Sequence, residues 1–179
     1  MRLSEKTVEF LPANVSRPDY DHAVQATGIV HLGMGAFHRA HQSWYTDAAM
    51  NAGDRDWATL GVSLRSADVA RQLNPQHGLY TVTERSAAGW QPQLVGAVRE
   101  VLVAAQDGEA VISALAAPET RIASFTVTEK GYCRGGGGLD LALADRSFYP
   151  HLAEAFRRRM AAGLPGLTLL SCDNLADNG

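Results

Sequence analysis

Apolar residues follow two patterns along this chain, short continuous runs and longer stretches in which they recur every three or four positions. The short runs predict strands at residues 28–32, 57–64, 79–84, 93–104, 121–128 and 167–171. The longer stretches predict helices at residues 36–51, 68–73, 107–115 and 150–162. Because strands keep alternating with helices, we predict an α/β fold, a doubly wound, mostly parallel sheet with helices on both faces. The section from 79 to 104 has a more antiparallel pattern and is interpreted as an insertion.

The chain of 179 residues is long enough for one domain with its own core and hardly long enough for two. Residues 1–27 contain Pro12 and Pro18 and few periodic apolar positions, so we expect an irregular N-terminal lead-in. We expect residues 28–179 to form a dinucleotide-binding domain, because a glycine turn follows the first predicted strand.

That strand, Ile29–Leu32, runs directly into two glycines, Gly33 and Gly35, and then into a predicted helix. The first N–H groups of a helix have no partner within it, and the helix dipole places partial positive charge there. Gly33 would permit a tight turn, and Gly35 would let a pyrophosphate approach the backbone. A third glycine would be expected at position 38, which is His38, so an ordinary strand-to-helix turn remains an alternative.

The side chains around this turn allow two kinds of ligand. Arg39 lies in the first turn of the predicted helix, where its guanidinium could hold two phosphate oxygens, although it could also face solvent. His31, His38 and His41 suggest a metal site, but no carboxylate or cysteine lies near them in sequence. We therefore expect packing and hydrogen-bonding roles for these histidines and no metal.

Polar residues also follow two of the other predicted strands, where a parallel sheet faces its ligand crevice. Arg65 directly follows the second strand, where a dinucleotide fold places the residue that reads the adenosine ribose, and Asp68 lies slightly later than the usual position. An acid there favours NAD and an arginine could accept NADP, so the pattern leaves both open. Glu129, Lys130 and Tyr132 follow the strand at 121–128 and are plausible site residues, with a salt-bridged loop as the alternative.

Composition excludes several classes of partner. A net charge of −3 with scattered basic residues gives no sign of a nucleic-acid interface, and the run Arg157–Arg159 is interpreted as a solvated helix face. No apolar stretch approaches the length of a membrane span, and the N-terminus lacks the apolar core of a signal peptide. Two cysteines without a C-x-x-C pair fit a reducing compartment. We expect a cytoplasmic protein that binds neither nucleic acid nor membrane.

Several blocks of sequence resemble one known family. HLGMGAFHRAHQ at 31–42, TVTEKGYC at 126–133 and SCDNLADNG at 171–179 are similar to the long-chain polyol dehydrogenases, which include mannitol 2-dehydrogenase and mannonate oxidoreductase (fructuronate reductase). LRSAD at 64–68 and LPANVSRPDYD at 11–21 are also similar. The resemblance implies the N-terminal, Rossmann-like nucleotide-binding domain of such an enzyme. It also accounts for the missing third glycine, because the family motif resembles GxGxFxRxH.

The resemblance further implies an NAD-dependent, metal-independent oxidation of a secondary alcohol in a polyol or aldonate, or the reverse reduction of fructose or fructuronate. Gly33, Gly35, Phe37 and Arg39 would contact the cofactor diphosphate, and Asp68 would match the acid near the adenosine ribose. Asn174 would match an asparagine that hydrogen-bonds the reacting oxygen, a sensible role because alkoxide charge develops as hydride leaves.

Two departures from the family limit these expectations. The family's general base is a lysine in a following, mainly helical domain, and neither Lys6 nor Lys130 corresponds to it. Ala67 stands where some relatives carry a second acid, which leaves NADP open beside NAD. We therefore expect this chain to supply the cofactor-binding half, to bind the dinucleotide and to turn over slowly or not at all. The alternative is a non-catalytic dinucleotide-binding module.

Overall fold

Strands and helices alternate along most of the computed structural model, which describes residues 2–135 and 138–175. The strands are β1 Thr27–Leu32, β2 Ala58–Ser63, β3 Tyr80–Ser86, β4 Gly89–Val95, β5 Val98–Val103, β6 Ile122–Phe125, β7 Arg134–Gly135, β8 Gly138–Leu139 and β9 Thr168–Ser171. The helices are α1 Ala36–Ala40, α2 Gln42–Asn51, α3 Asp68–Leu73, α4 Gly108–Ala116, α5 Thr128–Gly131, α6 Leu141–Ala144 and α7 Tyr149–Ala161. Short 3-10 helices lie at Val8–Phe10, His22–Val24 and Asn74–Gln76.

Within the described ranges, the central sheet has five strands in the order β5-β2-β1-β6-β9. Every neighbouring pair in it is parallel, with Val30 beside Leu60 on one side and beside Ala123 on the other. The chain moves outward from β1 to β2 and β5, and then returns to the other side of β1 for β6 and β9. The order of strands therefore reverses between β1 and β6, which is where open α/β sheets form their ligand crevice.

Helices cover both faces of this sheet, which confirms the predicted doubly wound α/β fold. Val30 and Leu32 point to one face, where they join the apolar core that contains Val111 of α4 and Leu152 of α7. The residues between them along each strand point to the other face, because side chains alternate along a strand. On that face, a second apolar cluster packs Met34, from the turn after β1, and Leu73, from α3, against β5. Among the described helices, none is both long and apolar enough to cross a membrane.

The predicted insertion at 79–104 divides into two parts with different roles. β3 and β4 form an antiparallel hairpin, paired from Tyr80 with Val95 to Ser86 with Gly89. β5 leaves this hairpin and pairs in parallel with β2. The prediction of one strand over residues 93–104 was therefore wrong, and residues 98–103 belong to the main sheet. Local periodicity cannot show this, because the pattern is the same whichever strand is the partner.

Two further predictions are corrected by the structure. The helix predicted over residues 36–51 is interrupted at His41, whose backbone has φ −122° and ψ −77°. The arginine run in α7 is only partly solvated, because Arg159 is 3% exposed. Its guanidinium donates to the carbonyl oxygens of Ala117 at 2.6 Å and Pro165 at 2.9 Å. Arg159 thus fixes the end of α4 against α7.

Candidate functional site

The turn after β1 is tightly held between the two neighbouring strands. The N–H groups of Gly33 and Met34 both donate to the carbonyl oxygen of Val62, at 2.8 and 3.1 Å. On the other side, the Thr126 hydroxyl donates to the Gly33 carbonyl oxygen at 2.9 Å. Gly33 has φ +99°, and a Cβ atom there would lie 2.1 Å from the Thr126 carbonyl oxygen. The fold itself therefore requires glycine at this position.

Gly35 differs, because no described part of the protein requires it to be glycine. Its φ of −106° and ψ of −173° are ordinary extended values, and it is the N-cap residue of α1. A Cβ atom there would have one neighbour within 4 Å, the Gly33 carbonyl oxygen at 3.7 Å. The missing side chain leaves an open approach to the backbone at the start of α1. Such an opening is what a dinucleotide pyrophosphate needs.

Two predicted site residues follow on α1, and their environments differ. Phe37 is 54% exposed and stacks on the ring of His41 at a centroid distance of 5.0 Å. Arg39 is half-buried, and its Nη1 atom is buried without a hydrogen-bond partner among the described residues. A buried charged donor without an acceptor is costly, so an anionic ligand oxygen would stabilise it. The open backbone at Gly35 and the positive charge of Arg39 on the same helix are therefore compatible with a bound phosphate group.

Below the turn, His31 and His38 stack on each other with ring centroids 3.7 Å apart. The His31 ring nitrogens lie 2.8 Å from the Ser124 hydroxyl and 3.0 Å from the Thr126 hydroxyl. Burial lowers the pKa of His31 to about 3 and that of His38 to about 2, so both rings are neutral at pH 7. Among the described residues, no group of three or more His, Cys, Asp or Glu side chains could hold a metal ion. The two rings form a packed, hydrogen-bonded support for the turn.

A cavity of about 620 Å³ opens beside the turn, at the carboxyl ends of β2, β5 and β6. Its wall carries three cationic side chains, Arg65, Lys130 and Arg146. The residues that line it are Gly33, Leu64, Arg65, Ala104, Ala105, Val127, Thr128, Lys130, Gly131, Cys133, Leu143, Arg146, Ser147, Phe148 and His151. Apolar walls with a few cations suit a ligand that combines a flat ring with phosphate groups. Sequence reasoning missed Arg146 and His151, because they follow no predicted strand.

Asp68 lies outside the wall of this cavity. It begins α3, its side chain is 66% exposed, and it accepts a hydrogen bond of 2.5 Å from the Ser66 hydroxyl. It also forms an ion pair with Arg71, and these two partners hold the pKa of its carboxyl below the usual value. Of the two predicted ribose-reading residues, Arg65 therefore lines the cavity and Asp68 lies on the surface beyond it.

Asn174 follows β9 and is exposed. Because β9 is parallel to β6, Asn174 emerges at the same edge of the sheet as the Gly33 turn. The preceding residue, Asp173, accepts hydrogen bonds from the backbone of Val127 and Thr128, at 2.9 and 3.0 Å. The structure thus brings the end of β9 against the segment that follows Thr126. Residues 176–179, the end of the SCDNLADNG block, lie outside the described residues.

Comparisons with known proteins give relatives of one kind. Residues 27–179 match the model of the mannitol dehydrogenase Rossmann domain. The chain is 40% identical to the D-mannonate oxidoreductase of Escherichia coli K12 over an alignment of 182 residues. This alignment covers 92% of this chain and 37% of that protein. It is 38% identical to a mannitol 2-dehydrogenase of Pyrenophora tritici-repentis, over 100% of this chain and 34% of that protein.

The fold is also that of a solved relative. The structure of Pseudomonas fluorescens mannitol 2-dehydrogenase, in a ternary complex with NAD and D-mannitol, matches with a TM-score of 0.91 and 36% identity. The match covers 100% of this chain and 40% of that one. The chain therefore spans well under half the length of these relatives.

Proposed function

Because this chain belongs to the mannitol dehydrogenase family, whose Rossmann domain it matches, we propose that it is the cofactor-binding part of an NAD-dependent oxidoreductase. The observation that carries this proposal is Gly35, which has an ordinary backbone conformation and, within the described part of the chain, no atom that a side chain would displace. Arg39, on α1, has a buried Nη1 atom without a hydrogen-bond partner among the described residues, and its positive charge would support a phosphate bound at the start of this helix. When bound, NAD would accept or donate the hydride.

Each predicted cofactor-binding residue has a separate task in this proposal. Gly33 shapes the turn, Gly35 exposes the backbone to the diphosphate, and Arg39 supplies charge to its oxygens. Phe37 covers the approach with an exposed ring. Asp68 would accept hydrogen bonds from the hydroxyl groups of the adenosine ribose, after releasing Ser66 or Arg71. Arg65, on the cavity wall, leaves room for NADP as well.

Asn174 is proposed as the residue of this chain that contacts the reacting atoms. Its amide N–H₂ would donate to the substrate oxygen, on which negative charge develops when hydride leaves the carbon. The family lysine that would exchange the proton has no counterpart at Lys6 or Lys130. We propose a secondary alcohol of a polyol or a sugar acid as the substrate, mannitol or mannonate being the two that the relatives suggest.

The test is a fluorescence titration of the 179-residue chain with NADH, beside the variants Gly35→Val and Gly166→Val. Gly166 is a matched control, because a Cβ atom there would meet none of the described residues within 4 Å. It precedes β9, at the amino ends of the strands, opposite to the Gly33 turn. We expect saturable binding by the parent chain and by Gly166→Val, and a Kd raised at least about tenfold in Gly35→Val. Equal binding by all three, or no saturable signal from the parent chain, would refute the proposal.

A further inference from the structure

Thr128 has a backbone conformation that its side chain disfavours. It is the first residue of α5, directly after the turn that leaves β6, and its φ is +65°. A β-branched residue rarely adopts this left-handed region, because its Cβ substituents crowd the backbone. Thr128 also lines the cavity, together with Lys130 and Gly131. A strained residue in a ligand cavity persists only when its surroundings hold it in place.

The carboxylate of Asp173 supplies that hold. Its Oδ1 accepts from the backbone N–H of Thr128 at 3.0 Å, and its Oδ2 accepts from the backbone N–H of Val127 at 2.9 Å. The same Oδ2 accepts from the Tyr132 hydroxyl at 2.8 Å. The Asp173 side chain therefore accepts hydrogen bonds from Val127 before the strained residue, from Thr128 itself and from Tyr132 after it. Hydrogen bonds to an ionised acceptor are about twice as strong as neutral ones.

Tyr132 connects this arrangement to the end of β9. Its hydroxyl lies within hydrogen-bonding distance of the Ser171 hydroxyl as well as of Asp173. Burial raises the pKa of Tyr132 to about 12, so the hydroxyl keeps its proton and can donate to the carboxylate. The ends of β6 and β9 are thus joined through side chains beyond the last pairs of the sheet. Asn174 leaves the sheet from this junction.

We propose that Asp173 is a positioning residue of the cofactor site. Its carboxylate holds Thr128 in the left-handed conformation, and this places the segment from Thr128 to Gly131, with Lys130, in the cavity wall. The same carboxylate fixes the point from which Asn174 extends. The proposal rests on the proposed function in one respect, that a dinucleotide occupies the cavity.

The test uses Asp173→Asn, Thr128→Gly, the double variant and Asp54→Asn in the 179-residue chain. Asp54 is an exposed acid between α2 and β2, at the opposite edge of the sheet, so its variant loses the same charge elsewhere. The first readout is amide hydrogen exchange at Val127 and Thr128, measured by NMR. We expect Asp173→Asn to raise both exchange rates at least about tenfold, with Asp54→Asn unchanged. Unchanged rates in Asp173→Asn would overturn the proposal, whether or not the chain binds NADH.

The second readout is the Kd for NADH. We expect Asp173→Asn to weaken binding about tenfold, and the double variant to recover most of this loss, since glycine adopts positive φ without strain. If Asp173 acted only through its charge, Asp173→Asn should lower the Kd instead, because removal of a carboxylate near an anionic ligand strengthens binding. Equal or tighter binding by Asp173→Asn, or a double variant no better than Asp173→Asn, would therefore also overturn the proposal. A parent chain that binds no NADH counts against the proposed function, and the exchange rates then decide the role of Asp173.

Discussion

Gly33→Ala should destabilise the protein strongly, whereas Gly35→Ala should not. An alanine at position 33 would have to keep a φ near +99°, outside the region that L residues tolerate, or change the turn. Its Cβ would lie 2.1 Å from the carbonyl oxygen of Thr126, a backbone atom that cannot rotate away. An ordinary contact starts at 3.4 Å, so the ends of β1 and β6 must separate by about 1 Å.

The expected loss is the sum of two terms. The unfavourable backbone conformation costs about 1–3 kcal/mol. Separation of the strand ends weakens the hydrogen bond from Thr126 to the Gly33 carbonyl and the one from the Thr126 N–H to Leu32, both 2.9 Å long, at about 1 kcal/mol each. The total of about 3–5 kcal/mol corresponds to a fall of about 10 °C in Tm for a chain of this length.

Urea unfolding followed by far-UV circular dichroism measures this loss. Gly35→Ala is the matched control, because its Cβ would meet one atom at 3.7 Å and its φ is −106°. We expect its free energy of unfolding to stay within about 0.5 kcal/mol of the parent value. If the two variants unfold at the same urea concentration, or if Gly33→Ala loses less than about 1 kcal/mol, the reasoning from φ and the Thr126 contact is wrong.

Three other variants test the buried polar groups. Asp47 is fully buried, and its Oδ1 accepts from the Tyr20 hydroxyl at 2.6 Å and from the Gly96 N–H at 2.8 Å. Asp47→Ala leaves both buried donors without their acceptor, so it should lower the free energy of unfolding by about 2–4 kcal/mol, measured in urea. An unchanged midpoint would contradict this. Arg159→Met should cost about 2–4 kcal/mol, because it leaves the Ala117 and Pro165 carbonyls without their donor. Arg157→Met, in the same run but 71% exposed, should unfold like the parent chain, and similar losses in both would refute the distinction. The stability contributed by His38 should depend on pH. In the folded protein its pKa is lowered to about 2, whereas in the unfolded chain the ring binds a proton below about pH 6.5. Protonation therefore favours the unfolded state as the pH falls below that value. The stability advantage of the parent chain over His38→Asn should therefore shrink by about 2 kcal/mol between pH 7 and pH 5, and a constant difference would show that the ring titrates normally.

Local patterns in the sequence were sufficient for most strands of the main sheet and for the glycine turn, but not for the short elements α5, α6, β7 and β8. The apolar runs predicted the strands of the main sheet to within a few residues, except in the section from 93 to 104, where one run covers two strands. The alternation of strands with helices predicted the doubly wound fold, because a parallel sheet needs a covering element after each strand. The GxG pattern marked a candidate turn, and the three longer blocks identified the family. Each apolar run, the glycine turn and each family block is a signal between residues close together in the sequence.

The tertiary structure decided everything that depends on which distant segments meet. The run at 93–104 could not show that β5 joins β2, since an apolar strand has the same sequence pattern beside any partner. The charge of Arg159 suggested solvent, but carbonyl groups at the ends of two other segments bind it in the interior. Asp173 lies 45 residues from Thr128, and no spacing rule connects them. Gly33 and Gly35 look equivalent in sequence. Only the position of Thr126, directly after the neighbouring strand β6, shows that the fold requires glycine at 33 and leaves Gly35 open to a ligand.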